Sequence, residues 1–253
     1  MKDLRIAAFL PSASEMVCEL GLFAQLVGVS HECDYPPQVK TLPVVVRCAM
    51  DLSSLNLKQI DEAVSARVGQ GQSVYAVDEE AIKKVKPNLI ITQDLCQVCA
   101  PSGNEATQTL KSLDPKPEFL WQTPHSFENV LADLLALGEK TGTLEKARQL
   151  ETRARARIET VKTKTQGLTP VKVFFMEWVD PIYCGGHWMP EMIGWAGGVD
   201  TISKPNVDSI RIAWEDVLKW DPEVLVISPC GYNTAKSLEQ TELLKSRSNW
   251  NNL

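Results

Sequence analysis

Glu80-Ala-Ile-Lys-Lys-Val-Lys-Pro-Asn-Leu-Ile-Ile-Thr92 returns, in pattern, as Glu215-Asp-Val-Leu-Lys-Trp-Asp-Pro-Glu-Val-Leu-Val-Ile-Ser228. Each segment opens on a glutamate suited to a helix N-terminus, meets a proline seven residues later and runs on as an apolar strand. A second pair accompanies the first: Ser14-Glu-Met-Val-Cys-Glu-Leu-Gly21 and Pro190-Glu-Met-Ile-Gly-Trp-Ala-Gly197 share Glu-Met and a terminal glycine at one spacing. A serine cap or a proline starts each helix there, and the glycine closes it. Repetition at this distance predicts two similar lobes.

Between the pairs the pattern changes. From about residue 127 to 166, apolar residues fall at Val130, Leu131, Leu134, Leu135, Leu137, Leu144, Ala147, Leu150, Ala154, Ile158 and Val161, with Lys, Arg and Glu between them. This 3.6-type spacing predicts one long helix, or two broken near Gly138 to Gly142. Elsewhere short apolar runs alternate with amphipathic ones, the signature of an α/β chain with a largely parallel sheet. The expected fold is therefore two Rossmann-like α/β lobes, 1–124 and 169–253, joined by a bridging helix over 125–168, with a ligand cleft between the lobes.

Composition narrows the function. The chain of 253 residues is 44% hydrophobic and 23% charged, as in globular proteins. Its 26 Lys and Arg against 32 Asp and Glu leave a net charge of −6 with no basic run, which argues against a nucleic-acid partner. No apolar stretch reaches the roughly 18 to 20 residues of a membrane span. The start lacks the apolar core of a secretory signal, so the sequence as written places the chain in the cytoplasm, or at the periplasm or cell surface if a leader was removed. Seven scattered cysteines do not form a disulfide framework, and one must stay unpaired within the chain. A monomer is expected.

In parallel α/β lobes, ligands gather beyond the carboxyl ends of the strands. The loops there contain Ser12; His31-Glu32-Cys33-Asp34-Tyr35; Cys96-Gln-Val-Cys99; and Trp178 through His187, Trp188 and Glu191. His31 and His187 are candidate imidazole ligands to a metal centre, whereas His125 at a helix entrance reads as structural. Cys96 and Cys99 have thioredoxin-like spacing, compatible with packing, metal ligation or redox exchange. Trp178 and Trp188 suit a flat ligand. GxSxG, P-loop, HExxH and GxGxxG motifs are all missing, which shifts weight from catalysis to binding.

Leu10-Pro-Ser-Ala-Ser-Glu15, Leu26-Val-Gly-Val-Ser-His-Glu-Cys-Asp-Tyr-Pro-Pro37 and the two glutamate-started units resemble the cobalamin-binding proteins of ABC importers, within the class III, helical-backbone substrate-binding proteins. The resemblance implies a non-catalytic protein that captures cobalamin or another corrinoid. Trp178 and Trp188 would then pack on the macrocycle, and Ser12, His31 to Tyr35 and His187 to Glu191 would meet its amide edge. His31 or His187 would stand as an axial ligand to cobalt, and Cys96 would touch the ligand. It also implies an ABC permease as partner, with Glu80 and Glu215 docking onto permease arginines. Two other readings stay open: haem, a metal chelate or a transition ion such as zinc held by His31, Cys33, Cys96, Cys99 and His187, and a thiol redox enzyme using Cys96 and Cys99. Relatives continue through another strand and a closing helix, so the expectation is either a second lobe shortened at Leu253 or a fragment of a longer chain.

Overall fold

The computed structural model describes residues 3–93 and 113–253. Cys96 and Cys99 lie outside the described residues. The chain divides into two compact units. The first comprises Met1–Ser54, Glu62–Pro124 and Asn129–Thr152, and the second Leu55–Asp61, His125–Glu128 and Arg153–Leu253.

Unit 1 is built on six strands: β1 (Ile6–Ala8), β2 (Leu26–Ser30), β3 (Val44–Cys48), β4 (Tyr75–Val77), β5 (Leu89–Gln93) and β6 (Glu118–Gln122). They lie in the order β4-β3-β2-β1-β5-β6, parallel throughout except for β4, which runs antiparallel to β3. The apolar runs explain the central strands. Ile6, Ala8 and Leu10 enter one core with Leu89 and Ile91, while Ala7 and Phe9 enter the core of the other face with Ile90. Alternate residues of one continuous apolar run thus fill both faces, as a buried parallel sheet requires.

The helices of unit 1 begin with α1 (Pro11–Glu19), α2 (Leu57–Gly69), which belongs to unit 1 from Glu62 onward, and α3 (Glu79–Val85). Next come α4 (Phe127–Thr141) and α5 (Leu144–Thr165), in which residues 129–152 belong to unit 1. Unit 2 carries β7 (Val171–Val179), β8 (Ile182–Cys184), β9 (Gly198–Val199) and β10 (Val224–Ile227), with helices α6 (Met189–Trp195), α7 (Trp214–Trp220) and α8 (Thr234–Lys245). Strand β7 pairs in parallel with β10 and β9 and antiparallel with β8. Its core gathers Phe174, Met176, Val179, Trp214, Val217 and Leu244.

The repeated segments fold alike. The backbone of α3 ends on Lys86 at φ +45° and that of α7 on Asp221 at φ +52°. The amide of each donates to a carbonyl four residues back, Lys86 to Ile82 and Asp221 to Val217, both at 3.0 Å. A buried proline follows, then a strand. The second pair also recurs, in Gly21 at φ +78° after α1 and Gly197 at φ +82° after α6. Left-handed backbone here favours glycine because it has no Cβ.

Two expectations are corrected, and the open choice of one bridging helix or two is decided for two. Helix α1 starts at Pro11, and Ser14 lies inside it, buried, its hydroxyl donating to the Pro11 carbonyl at 2.8 Å rather than capping. The bridging segment is two helices, separated at Gly142 (φ +70°). There the amides of Gly142 and Thr143 donate to Glu139 and Gly138 at 3.2 and 2.7 Å, a Schellman closure. Finally, Leu55–Asp61 groups with unit 2 instead of with the rest of 1–124. Leu57 is buried in the core of unit 2, and its carbonyl accepts the Trp178 indole N–H at 3.3 Å.

On α4, Asp133 holds its Oδ2 buried without a hydrogen-bond partner, and burial pushes its carboxyl from the ordinary 3.8 up to about 6. The folded state therefore binds the proton more tightly than the unfolded chain does. This contribution is fully present below pH 4 and is lost as pH rises through about 6. Because the side chain is only partly buried, the loss is discounted to roughly 1 kcal/mol. The Asp133→Asn variant should lose that much of the parent's decline in stability between pH 4 and pH 7 in urea titrations. Superimposable pH profiles would refute the assignment.

Candidate functional site

In unit 1 the candidate residues cluster beyond the carboxyl ends of the adjacent strands β1 and β2. Pro11 fixes the start of α1 and leaves Ser12 exposed in its first turn. After β2 the chain is held by two backbone bonds of 3.0 Å, from the His31 amide to Val46 and from the Cys33 amide to Ser30. This geometry sends His31, Glu32, Asp34 and Tyr35 outward, Tyr35 being 57% exposed. Glu32 is fixed by the Tyr75 hydroxyl, which donates to its Oε1 at 2.9 Å, and the His31 ring lies 5.9 Å from that of Tyr75.

Cys33 turns the other way. It is 5% exposed and belongs to the core, where burial pushes its thiol up while bonds to Ser14 and to the Ser30 backbone partly offset the effect. Burial likewise raises the thiols of Cys18 and Cys184. None of these three has the electropositive surroundings that stabilise a reactive thiolate. Cys33 is thereby removed from the ligand-facing set.

In unit 2 the segment 206–212 runs beside 182–187 and is tied to it in steps. The Ile212 amide donates to Ile182 at 2.9 Å, Cys184 to Ile210 at 3.1 Å and His187 to Val207 at 2.7 Å, and the Asn206 amide returns to the His187 carbonyl at 2.9 Å. His187 sits in left-handed backbone at φ +53°. Glu177, near the end of β7, joins the two segments, accepting the Gly186 N–H at 3.4 Å through one oxygen and the Ser209 hydroxyl through the other.

His187 thus reaches Asp208, its Nε2 donating to Oδ1 at 3.1 Å, and its ring lies 6.1 Å from that of His125. One ligand atom from each of His125, His187 and Asp208 falls within 4.8 Å of the others. His125, expected to be structural, is exposed and part of this group. No sequence signal joins these three residues, because their meeting depends on the pairing of distant loops.

The remaining candidates of unit 2 divide. Trp188 is half-buried next to the His187 ring. Glu191, in the first turn of α6, accepts the Phe127 amide at 3.1 Å and so caps α4. Trp178 is no free platform: it packs on the core of its own unit, its N–H shared between the carbonyls of Leu57 and Asp180. A cavity of about 420 Å³ in unit 2, lined by Lys162, Thr165, Trp195 and Gly197 among others, includes none of the predicted residues. Glu80 and Glu215 are both exposed in the first turn of their helices.

A family model described as periplasmic binding protein matches residues 6–253. A vitamin B12-binding protein of Vibrio cholerae is 25% identical over 226 residues, 88% of this chain and 70% of that one. Among solved structures, the periplasmic vitamin B12 binding protein of Vibrio cholerae aligns with a TM-score of 0.60 at 24% identity, covering 87% of this chain and 74% of that one. The periplasmic heme-binding protein of Roseiflexus sp. RS-1 aligns at 0.68 and 20% identity, covering 96% and 82%. The heme-binding protein HutB of Vibrio cholerae aligns at 0.67 and 17%, covering 99% and 87%. At these identities the structural likeness establishes the shared class III fold.

Proposed function

Since the chain belongs to the periplasmic binding protein family, whose members are substrate-binding proteins working with ABC importer permeases, we propose that it captures cobalamin or another corrinoid for such a permease. No helix among the described residues is long and apolar enough to cross a membrane. The observation that carries the reading is the loop after β2, which presents an imidazole, two carboxylates and a phenol outward and buries only its cysteine. A corrinoid is a flat macrocycle rimmed by amides, and such a rim asks for hydrogen-bonding groups on a rigid frame more than for a deep apolar pocket. Ser12, His31, Glu32, Asp34 and Tyr35 meet those amides, Trp188 lies on the macrocycle, and His31 or His187 is offered to cobalt. The B12-binding relatives, aligned over most of this chain, support the same ligand class. Glu80 and Glu215, exposed on corresponding helices, are the carboxylates proposed to steer docking onto the permease.

The test is an absorption titration of the full chain with hydroxocobalamin, cobinamide and haem. Saturable 1:1 shifts of the corrin bands are expected, weakened about tenfold, or roughly 1.4 kcal/mol, in Trp188→Ala. Corrin bands that stay unmoved overturn the reading. A shift of the haem band alone would transfer the site to haem, a reading favoured by the exposed imidazole of His31 and by the haem-binding structural neighbours.

A further inference from the structure

We infer that His125, His187 and Asp208 form a binding site for a divalent transition ion of the zinc class, which would engage His187 and leave His31 as the imidazole offered to cobalt. Two imidazoles and one carboxylate are the donor set that suits Zn²⁺, Co²⁺ and Ni²⁺, and three protein ligands leave a position open for water or another small donor. In a tetrahedral shell with bonds of about 2.0–2.1 Å, neighbouring donors stand roughly 3.3 Å apart. The His187 Nε2 and Asp208 Oδ1 are already 3.1 Å apart, and the three donor atoms lie within 4.8 Å of one another. Small side-chain rotations of the exposed His125 and Asp208 close the remainder. Ligation through Nε2 requires the His187 ring to carry its proton on Nδ1, and the Asp208 carboxylate supplies one negative charge to the ion.

The surroundings hold the ligands in place. His187 is the least exposed of the pair it forms with Asp208, its side chain 18% accessible against 66%. Its backbone is fixed at both ends, the amide on Val207 and the carbonyl on Asn206. Gly186 allows the two segments to touch, since a Cβ there would lie 2.5 Å from the Ser209 nitrogen and 2.8 Å from both the Asp208 carbon and the Val207 oxygen. Glu177 then clamps the same segments through Gly186 and Ser209. It is a positioning residue, setting the distance of Asp208 from His187. Outer groups of this kind change metal affinity by about 10- to 100-fold when removed.

The experiment is a Co²⁺ titration of the full chain without corrinoid, followed by visible ligand-field bands and by Zn²⁺ displacement. One ion per chain is expected. His125→Ala and Asp208→Asn, both on exposed side chains, should each weaken binding at least tenfold. His187→Asn, chosen because asparagine tolerates left-handed backbone, should weaken it further. Glu177→Gln should weaken it about tenfold, and Cys96→Ser/Cys99→Ser should leave it intact. Weak or non-stoichiometric binding, or binding lost in the cysteine variant and kept in the histidine variants, overturns the assignment. With corrinoid left out, neither result bears on the corrinoid reading.

Discussion

The Gly138→Ala variant is expected to be less stable than the parent by about 2 kcal/mol, although alanine is the better helix former by roughly 1 kcal/mol. Two effects oppose each other at this position. Gly138 lies within α4, where propensity alone predicts a gain. Yet its missing Cβ is where α5 comes nearest: a methyl there would lie 2.5 Å from the Ala147 Cβ and 3.2 Å from the Leu144 Cα. Neither obstacle is the end of a flexible side chain. The turn between the helices gives no slack, since Thr143 donates to the Gly138 carbonyl at 2.7 Å and the Thr141 and Thr143 hydroxyls are bonded at 2.8 Å. Overpacking therefore outweighs propensity. Urea unfolding decides the sign, and Gly138→Ala/Ala147→Gly should recover part of the loss by vacating the space. A variant more stable than the parent would mean that the helices do not approach this closely.

Gly138 also shows what the sequence made legible. Its interruption of the 3.6-type pattern marked a break near 138–142, and the break is real, but it belongs to Gly142, whose φ of +70° only glycine adopts cheaply. Gly138 remains helical for a packing reason, which depends on Ala147 and so on tertiary structure. The repeated segments were readable because their signal is local. A helix stopped by a left-handed residue, a proline and then an apolar strand needs nothing from the rest of the chain, and it recurs in Lys86-Pro87 and Asp221-Pro222.

The candidate residues were legible by position but not by direction. Strand-end location pointed to the loop from His31 to Tyr35, of which His31, Glu32, Asp34 and Tyr35 face outward, whereas the inward turn of Cys33 goes with the backbone bond between its amide and Ser30. Trp178 looked like a platform, yet its indole N–H is taken up in part by the carbonyl of Leu57, far away in the chain. The group of His125, His187 and Asp208 was invisible because Asp208 reaches it only through the pairing of two loops.

That pairing can be broken at one atom. The Gly186→Ala variant is expected to lose about 2–4 kcal/mol of stability, with a fall in Tm of roughly 2–4 °C per kcal/mol for a chain of this size. The added methyl meets backbone only: the Ser209 nitrogen at 2.5 Å, the Asp208 carbon at 2.8 Å and the Val207 oxygen at 2.8 Å. Since no rotamer can yield, segment 207–209 must retreat. Its retreat strains the bond from the His187 amide to Val207 and the one from the Ser209 hydroxyl to Glu177, each a partly buried polar contact whose loss adds about 1 kcal/mol. The neighbouring Gly185→Ala is the control. There the methyl would meet the Phe175 Cδ1 at 3.1 Å and the Met189 Cβ at 3.3 Å, side-chain atoms with some room to shift, and less than half the cost is expected. Because Asp208 moves with the segment, Gly186→Ala should also weaken Co²⁺ binding by 10-fold or more under conditions where the variant is still folded, while Gly185→Ala binds as the parent does. If thermal melts and Co²⁺ titrations found the two alanine variants equivalent, segments 185–187 and 207–209 would not be in the close contact on which the three ligands depend.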